Sequence, residues 1–560
     1  MVKKTSTLLA WIGAAVAAVY LPVLGVRTLR FAGDEKSYLD QVIEMKDRSH
    51  WFFQTFGGEP CYYKGPFHYL AVRFSWLFFG NSFWSALFPN FVLLLFGAWA
   101  TGLALLRFHP ARQGWAFAAG VAFATSAGLY THGLASQMEV ELAGFFMIAM
   151  AALAWDRPRL FWLAAGIAGW IKSPLHSVLI GSSGLLYWLM QGTLLRRMKE
   201  PRQWRFLIEG VALCSAGFAP AFLFDHDNFM KTYIRRETLD KPSNFSPWWT
   251  PVLPILTHSI FPWTILIWTG LLTFAHRVIK RVALPQSSLL GFCVAAPSIV
   301  FFLIHPYRVH TYNLPIIGAL VLLACGLGAG FPPLGSRLLR GVLASSPLLL
   351  AILTGAAFYI LRRLGIPFVP RWLLAFCVAC SSAGMIATIT ILLKRSWPSG
   401  RSAAFTAAAA VPPFIAIGLI LRVFGTWEVE SFKHLVGQLS GPEPTPMIRY
   451  YDPSKSVWHE WGLMVFATGL EIRPIYDAKA VRESLAHGEI VTTQSLKDAQ
   501  EILAIAAEMP EPKRHLQILP WPRWRRPAEK VAGMPAWKDA WEHADWKKLV
   551  TEFAIARLKN

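Results

Sequence analysis

The first hydrophilic stretch of the chain carries the residue types that acid-base chemistry needs. The adjacent carboxylates Asp34 and Glu35 follow an apolar run, and Tyr38 comes one helical turn later. A carboxylate fixed in such a loop can take a proton from a hydroxyl group or orient it. Asp34 and Glu35 would equally suit the start of a helix over 35–46, with Asp34 as its N-cap. The two interpretations are compatible, because a cap position is also an exposed, fixed place for a base.

A second set of residues is cationic and suits phosphate. Lys64 stands beside a Gly-Pro turn, and Lys172 lies between two apolar runs just before Pro174. Cations that converge at one membrane face would bind a phosphate or pyrophosphate group. For Lys172, snorkelling of a long side chain to the membrane interface stays open as an alternative. The predicted donor-phosphate residues are Lys64, Lys172, Arg235, Arg236 and Arg308.

Another carboxylate, Glu139, opens an apolar run at the second loop on the same side, close to Glu141. Carboxylates at a membrane boundary are either solvated or functional. If the first and second loops face each other, Glu139 would join Asp34 and Glu35 as a catalytic acid. No nucleotide-binding loop or HExxH motif occurs. No cofactor is therefore certain and no metal ligand is assigned, although a divalent metal stays open through Glu139, His132 or His305.

Aromatic and imidazole side chains surround these charges in the sequence. Trp and Tyr near apolar runs are typical of an interfacial belt, and they can also stack on sugar rings. Both interpretations stay open. The residues predicted to contact substrate are Tyr38, Tyr63, His68, Trp248, Trp249, His310 and Tyr312.

The composition is that of a polytopic α-helical membrane protein. Of 560 residues, 54% are hydrophobic and only 16% are charged, with a mean hydropathy of +0.40. The net charge of +21 indicates anionic lipid and orientation signals rather than nucleic acid. Window hydropathy predicts about thirteen transmembrane helices. Their approximate limits are 7–26, 86–106, 114–131, 140–155, 160–172, 174–191, 206–224, 252–275, 286–304, 313–330, 342–361, 372–393 and 404–424.

Charge predicts the orientation and the domain organisation. Lys and Arg cluster on alternate loops, on the side of Lys3 and Lys4, which the positive-inside rule makes cytoplasmic. Residues 1–424 form a predicted transmembrane domain whose outer loop, 27–85, is catalytic. Residues 425–560 form a predicted small α/β domain on the outer side. Its strands are expected at 447–451, 472–476, 489–493 and 516–519, with helices at 478–486 and 496–508.

Five segments, in order along the whole chain, resemble the C-type (GT-C) membrane glycosyltransferases that use polyprenyl-phosphate sugars. The likeness is greatest to the aminoarabinose (lipid A) transferase family, with protein O-mannosyltransferases as wider relatives. The segments are Asp34-Glu35 with Tyr38, Lys64-Gly65-Pro66-Phe67-His68-Tyr69, Lys172-Ser173-Pro174, Ser246-Pro247-Trp248-Trp249-Thr250-Pro251 with Phe261-Pro262-Trp263, and Arg308-Val309-His310-Thr311-Tyr312-Asn313-Leu314-Pro315. The chain departs from the family pattern at Gly65, where Pro is usual, and at Glu139, where Asp is usual. It also has Arg or His where the last segment usually has Lys.

The resemblance implies a transferase of the bacterial inner membrane whose site and tail domain face the periplasm. It implies transfer of a sugar, with inversion, from undecaprenyl phosphate to a lipid A, glycan or protein acceptor. Asp34 would act as base or orienting acid, and the cations would hold the departing phosphate. Two alternatives stay open: a lipid-linked-sugar flippase or transporter, and a membrane assembly protein whose tail domain is its working part.

Overall fold

The computed structural model of the chain describes most of its residues. The described ranges are 2–25, 34–47, 51–62, 64–239, 246–305, 308–330, 336–394, 396–440, 447–453, 461–493, 496–509, 515–524, 530–531, 534–535, 547 and 550–559.

Helices dominate the described part of the chain. They are α1 (Val2–Tyr20), α2 (Glu35–Asp47), α3 (Phe67–Phe79), α4 (Phe83–Phe108), α5 (Gln113–Ala124), α6 (Ala127–Gly133), α7 (Met138–Ala154), α8 (Pro158–Ile171), α9 (Pro174–Met190), α10 (Leu194–Met198), α11 (Pro201–Phe224), α12 (His226–Phe229), α13 (Thr264–Ile279), α14 (Gln286–Ile304), α15 (Ile317–Gly330), α16 (Ser336–Leu364), α17 (Arg371–Leu393), α18 (Ser399–Ser440), α19 (Trp461–Thr468), α20 (Ala478–Ala486) and α21 (Leu496–Ala507). Two segments are π-helical, Met230–Leu239 and Ile255–Ser259, and His310–Ile316 is a 3-10 helix.

The polytopic membrane fold predicted from hydropathy is confirmed. Within the described residues, seven helical segments are long and apolar enough to cross a bilayer, and α13 and Thr5–Tyr20 are shorter apolar helices. Within the described residues, every predicted span contains helical structure. Two predicted spans are interrupted. The span 114–131 is divided between α5 and α6, and in 252–275 a π-helical turn precedes the start of α13 at Thr264.

Prolines set several helix boundaries that position the site. Pro158, Pro174 and Pro201 occupy the first turns of α8, α9 and α11, where a missing N–H costs no hydrogen bond. A proline also disfavours helical backbone in the residue before it, so α8 cannot run on into α9. Lys172 lies in this interruption, as the residue that ends α8.

The first loop is folded into two helices with a short hairpin between them. The predicted helix over 35–46 is confirmed by α2, most of whose side chains are buried. The strands β1 (Thr55–Phe56) and β2 (Glu59–Pro60) pair antiparallel through Gly57 and Gly58, whose positive φ angles of 60° and 85° suit a tight turn. Their N–H groups donate to the Glu44 carboxylate at 2.6 and 3.1 Å, which fastens the hairpin to α2.

The tail contains the predicted α/β unit. Strands β3 (Ile448–Tyr451), β4 (Ile472–Ile475), β5 (Ile490–Thr493) and β6 (His515–Trp524) match the four predicted ones, and α20 and α21 match the predicted helices. The small pair β7 (Lys530–Val531) and β8 (Met534–Pro535) precedes β9 (Val550–Lys559), and the sheet order is β4-β3-β5-β9-β6. β3 is parallel to β4 and β5, whereas β9 is antiparallel to β5 and β6. Helix α18 runs through residue 425, and the domain boundary there stays a prediction.

The tail packs on the first loop. Arg473 forms an ion pair with Asp47 at the end of α2. Phe466 of α19 contacts Trp76 of α3 edge-to-face, with ring centroids 4.7 Å apart, and the Lys46 ammonium lies 4.8 Å from the same indole. The tail therefore supports the two helices that flank the predicted site.

Candidate active site

Asp34 occupies a turn directly before α2, the place predicted for it. Its carboxylate oxygen Oδ2 accepts a 3.4 Å hydrogen bond from the Tyr38 hydroxyl, one helical turn on. Burial raises the pKa of the Asp34 carboxyl above its ordinary value; Lys172 and Lys64 lower it, and the negative charge of Glu139 raises it. Asp34, Glu139, Lys64 and Lys172 therefore lie within one electrostatic environment, although they come from four separate segments.

Glu139 and Lys172 form a buried ion pair at the centre of this environment. The Lys172 ammonium lies 2.5 Å from Glu139 Oε1. The Lys172 side chain is 6% exposed and the Glu139 side chain is 3% exposed. The ammonium also lies 4.0 Å from the centre of the Tyr312 ring, a cation-π contact. The first turn of α7, the α8–α9 interruption and the 3-10 helix are thereby joined at one point. Lys172 was interpreted from the sequence as either a phosphate ligand or a snorkelling residue. The structure adds that its ammonium group has a carboxylate partner, Glu139.

Lys64 is held against the same interruption by its neighbour Gly65. The Gly65 N–H donates to the Lys172 carbonyl at 3.3 Å. A Cβ atom at position 65 would lie 1.9 Å from the Trp170 carbonyl oxygen, which is far inside van der Waals contact. A proline here would lack the N–H and would bring ring atoms into occupied space. The departure at Gly65 from the family pattern therefore has a local physical cause in this chain.

We expect Gly65→Ala to lower both stability and activity. The added methyl group must displace the Trp170 carbonyl or the Lys64 backbone, and strained overpacking of this kind typically costs about 1–3 kcal/mol. Thermal unfolding of the purified variant and its transfer rate are the measurements. Gly437→Ala is the matched control, since a Cβ there meets nothing within 4 Å. A Gly65→Ala protein as stable and active as the wild type would contradict the close approach.

Glu35 and His68 lie in a buried network behind the site. Glu35 Oε1 accepts a 2.6 Å hydrogen bond from the Ser136 N–H. His68 bridges Glu141 Oε1, 2.9 Å from Nδ1, and Ser136 Oγ, 3.1 Å from Nε2. Both Glu35 and His68 are 0% exposed. Their contacts fix the first loop onto α7, so they support a positioning role; catalysis by Glu35 and substrate contact by His68 stay untested predictions.

The sequence did not distinguish the roles of Glu139 and Glu141. On a helix, side chains two residues apart point in directions that differ by about 160°, so only one of the pair can face a given side. Glu139 meets Lys172, and Glu141 meets His68. The two-residue spacing at a helix start was the available signal for this division.

Three imidazoles lie near the pair. Burial is the main reason why the pKa of His132 is below its ordinary value. His132 also interacts electrostatically with Glu139, Lys172, His258 and His310. The rings of His258 and His310 are 6.1 Å apart. His258, on the π-helical segment Ile255–Ser259, was not singled out by the sequence. No group of three or more His, Cys, Asp or Glu in the described ranges could hold a metal ion, and metal dependence stays open.

The remaining predicted residues lie on other segments of the chain. Arg308 donates to the Ser246 carbonyl at 3.1 Å, and so fastens its turn to the Trp-rich segment. Trp248 and Trp249 are 62% and 46% exposed and contact each other edge-to-face. Arg235 is exposed on the segment Met230–Leu239. Tyr63 and the side chain of Arg236 lie outside the described residues. All these assignments stay predictions.

An apolar cavity of about 810 Å³ adjoins the site between α8, α9 and α11. Pro174 and Ser177, just beyond Lys172, line it together with Phe229 and Tyr233, which lie beyond the end of α11. Tyr62 of the first loop is fastened at this end, because its hydroxyl donates to Asp225 Oδ2 at 2.7 Å. The charged cluster and the apolar cavity are therefore neighbours, the arrangement that a ligand with a charged head and a long apolar tail requires.

These features define a polytopic helical membrane protein with a buried cluster of charged residues, and the solved structures similar to it have the C-type glycosyltransferase fold. The chain is similar to ArnT from Cupriavidus metallidurans in the apo state, with a TM-score of 0.65, 17% identity, and coverage of 90% of this chain and 95% of that one. It is similar to the same protein bound to undecaprenyl phosphate, with a TM-score of 0.65, 16% identity, and coverage of 99% and 98%.

The other comparisons add little. An oligosaccharyltransferase from Archaeoglobus fulgidus matches at a TM-score of 0.40 and 10% identity, over 90% of this chain and 71% of that one, a likeness too low to support an inference. No family model and no curated protein matches. The ArnT-like fold expected from the sequence segments is thus confirmed by structure.

Proposed function

We propose that the protein is an integral-membrane glycosyltransferase that moves a sugar from a polyprenyl-phosphate donor, such as undecaprenyl phosphate, to an acceptor on the outer face. The observation that carries the proposal is the convergence of Asp34 and Glu139 with Lys64 and Lys172 beside the apolar cavity. The ArnT-like fold supports it, and one of the similar structures binds undecaprenyl phosphate. The acceptor is a lipid A, a glycan or a protein.

The reaction is a single displacement at the anomeric carbon, which inverts it. The acceptor oxygen forms the new bond to that carbon, and the bond from the carbon to the phosphate oxygen breaks with its electron pair on the phosphate. Asp34 takes the proton of an acceptor hydroxyl, or only orients an acceptor that is already a phosphate anion. Lys64 and Lys172 hold the charge that develops on the leaving polyprenyl phosphate, and such fixed charges lower the barrier.

Glu139 has a supporting part in this proposal. Its carboxylate fixes the Lys172 ammonium at 2.5 Å and leaves the other ammonium protons able to contact a phosphate, since Lys carries three donors. Its negative charge also raises the pKa of Asp34, which makes that carboxylate a stronger base.

The apolar cavity suits part of the polyprenyl chain. Its lining includes Trp162, Val178, Leu207, Val211 and Phe218, and it extends along the helices toward the face opposite the site. A polyprenyl chain placed there would keep its phosphate near the break between α8 and α9. We infer from the positive-inside pattern that the site faces the periplasm of a bacterial inner membrane.

The direct test is a transfer assay with purified protein in lipid vesicles. Radiolabelled undecaprenyl-phosphate sugars are offered with lipid A, glycan and protein acceptors. Product with one pair supports the proposal and names both substrates. Absence of product from every pair, together with labelled lipid crossing the bilayer, would instead indicate a flippase.

We expect Lys64→Gln to raise the KM for the lipid donor more than it lowers kcat. A hydrogen bond to a charged group contributes about 1.5–3 kcal/mol, so the rise should be about tenfold to a hundredfold. Initial rates over a donor titration measure it. Lys231→Gln, which removes an exposed charge on the segment Met230–Leu239, is the control. An unchanged donor dependence would remove Lys64 from the phosphate site.

A further inference from the structure

A second cavity, of about 580 Å³, lies at the opposite ends of the helices from the proposed active site. Four arginines line it, Arg157, Arg159, Arg197 and Arg202, together with the apolar residues Leu163 and Phe206. The α7–α8 turn and the α10–α11 region form its walls. Arg197 also lines the apolar cavity, and the other three arginines have no part in the proposed transfer.

The walls of this cavity are fixed to each other. Asp156 turns the chain between α7 and α8 with a φ of 52°, a left-handed conformation that Asp adopts more readily than most residues. The Arg157 N–H donates to the Ala152 carbonyl at 2.8 Å and closes the turn. Asp156 Oδ1 then binds the Arg197 guanidinium at 2.7 Å, which joins the turn to α10.

The charges around the cavity are strongly unbalanced. The segments 156–163 and 194–209 together contain seven cations and three carboxylates, an excess of four positive charges. Each carboxylate already has an arginine: Asp156 pairs with Arg197, Glu200 with Arg202 and Glu209 with Arg159 and Arg205. Within the described ranges, Arg157 has no acidic partner. The pairs of the exposed side chains Arg159, Arg202 and Arg205 are weak, so these guanidinium groups stay able to bind an anion.

The surface next to these charges is apolar. Leu160 of α8 and Ile208 of α11 are 48% and 64% exposed. Both helices cross toward the outer face, and α11 is one of the candidate spans. A cationic cavity above exposed aliphatic side chains has the charge and polarity of a phospholipid site: phosphate at the interface and acyl chains along the helices.

We propose that this cavity binds the phosphate headgroup of an anionic phospholipid from the leaflet on the arginine-rich, cytoplasmic side. The positive-inside rule explains why cations lie on this side. It does not explain a concave cavity with a fixed wall and an arginine that, among the described residues, lacks an acidic partner. The proposal concerns a lipid that remains bound beside the helices, and it goes beyond the transfer reaction at the other face.

The test is native mass spectrometry of the full chain in detergent, titrated with phosphatidylglycerol. The variant is Arg157→Gln with Arg202→Gln. The control is Lys280→Gln with Lys394→Gln, which removes two exposed charges from other loops on the same side. We expect about thirtyfold weaker binding in the variant, or about 2 kcal/mol, since each basic residue contributes about 1 kcal/mol. The control should bind as the wild type does.

A single variant and two other ligands complete the binding experiment. Arg157→Gln alone, which breaks no ion pair among the described residues, should weaken binding about fivefold. Phosphatidylcholine should bind weakly, and inorganic phosphate at the same concentration should not displace phosphatidylglycerol. Displacement by phosphate would indicate an anion site rather than a lipid site. Equal weakening in variant and control, or none in either, would overturn the proposal. The transfer assay is scored separately, so a failure there leaves this result intact.

Discussion

The variant Asp34→Asn is expected to lose transfer while it stays folded. Removal of a general base typically lowers kcat by about 10²–10⁴-fold. The amide has the shape of the carboxyl group and can still accept the hydrogen bond that the Tyr38 hydroxyl donates to Asp34. Initial rates with the identified substrate pair, and the thermal unfolding temperature, measure the two halves of the expectation. An unchanged rate in the folded variant would end the catalytic assignment.

The pH dependence of the wild type provides a second check on Asp34. Burial raises the pKa of this carboxyl above its ordinary value. A base acts in its deprotonated form, so the rate should fall as the pH is lowered through the raised pKa, at a higher pH than the ordinary value of about 4 would give. The residual rate of Asp34→Asn should lack this fall, because an amide does not titrate.

A control separates this role from a general effect of charge. Asp227→Asn removes one exposed carboxylate from α12, just beyond the end of α11. Its transfer rate and pH profile should match those of the wild type. Equal losses in the two variants would show that the transfer rate depends on net charge and not on Asp34.

The sequence predicted the membrane fold well because length and hydropathy act locally. A run of about twenty apolar residues must be helical in lipid, whatever its neighbours are. The strand β9 was missed for the opposite reason. Its segment, Val550–Lys559, lacks regular alternation, and its place between β5 and β6 depends on pairing with strands that are distant in the chain. A local sequence pattern does not predict pairing between distant strands.

The site shows the same division. The residue types and segment order were sufficient to select Asp34, Glu139, Lys64 and Lys172, which the structure brings together. The ion pair between Glu139 and Lys172 could not be predicted from the sequence, because it depends on how α7 packs beside the α8–α9 interruption. His68 was selected as a substrate residue from its place in a motif, whereas its partner Glu141 lies in the first turn of α7 and its partner Ser136 lies just before that helix.

The buried pair of Glu139 and Lys172 carries the largest expected effect on stability. Removing one member leaves the other as an uncompensated buried charge, which typically costs about 3–5 kcal/mol. Glu139→Gln and Lys172→Met should each lower the free energy of unfolding by about this amount. The double variant should regain most of it, because a neutral pair of similar size replaces the ion pair.

Transfer activity should not return with stability in that double variant. Lys172 is proposed to hold the departing phosphate, and the methionine that replaces it has no positive charge with which to do so. A double-mutant cycle on the free energy of unfolding, with transfer rates measured on the same four proteins, separates the two roles. A double variant that regained both properties would make the pair purely structural and would remove Lys172 from the phosphate site. A stable but inactive double variant would show that the ion pair holds a catalytic cation in place. The same two side chains would then contribute to both stability and activity.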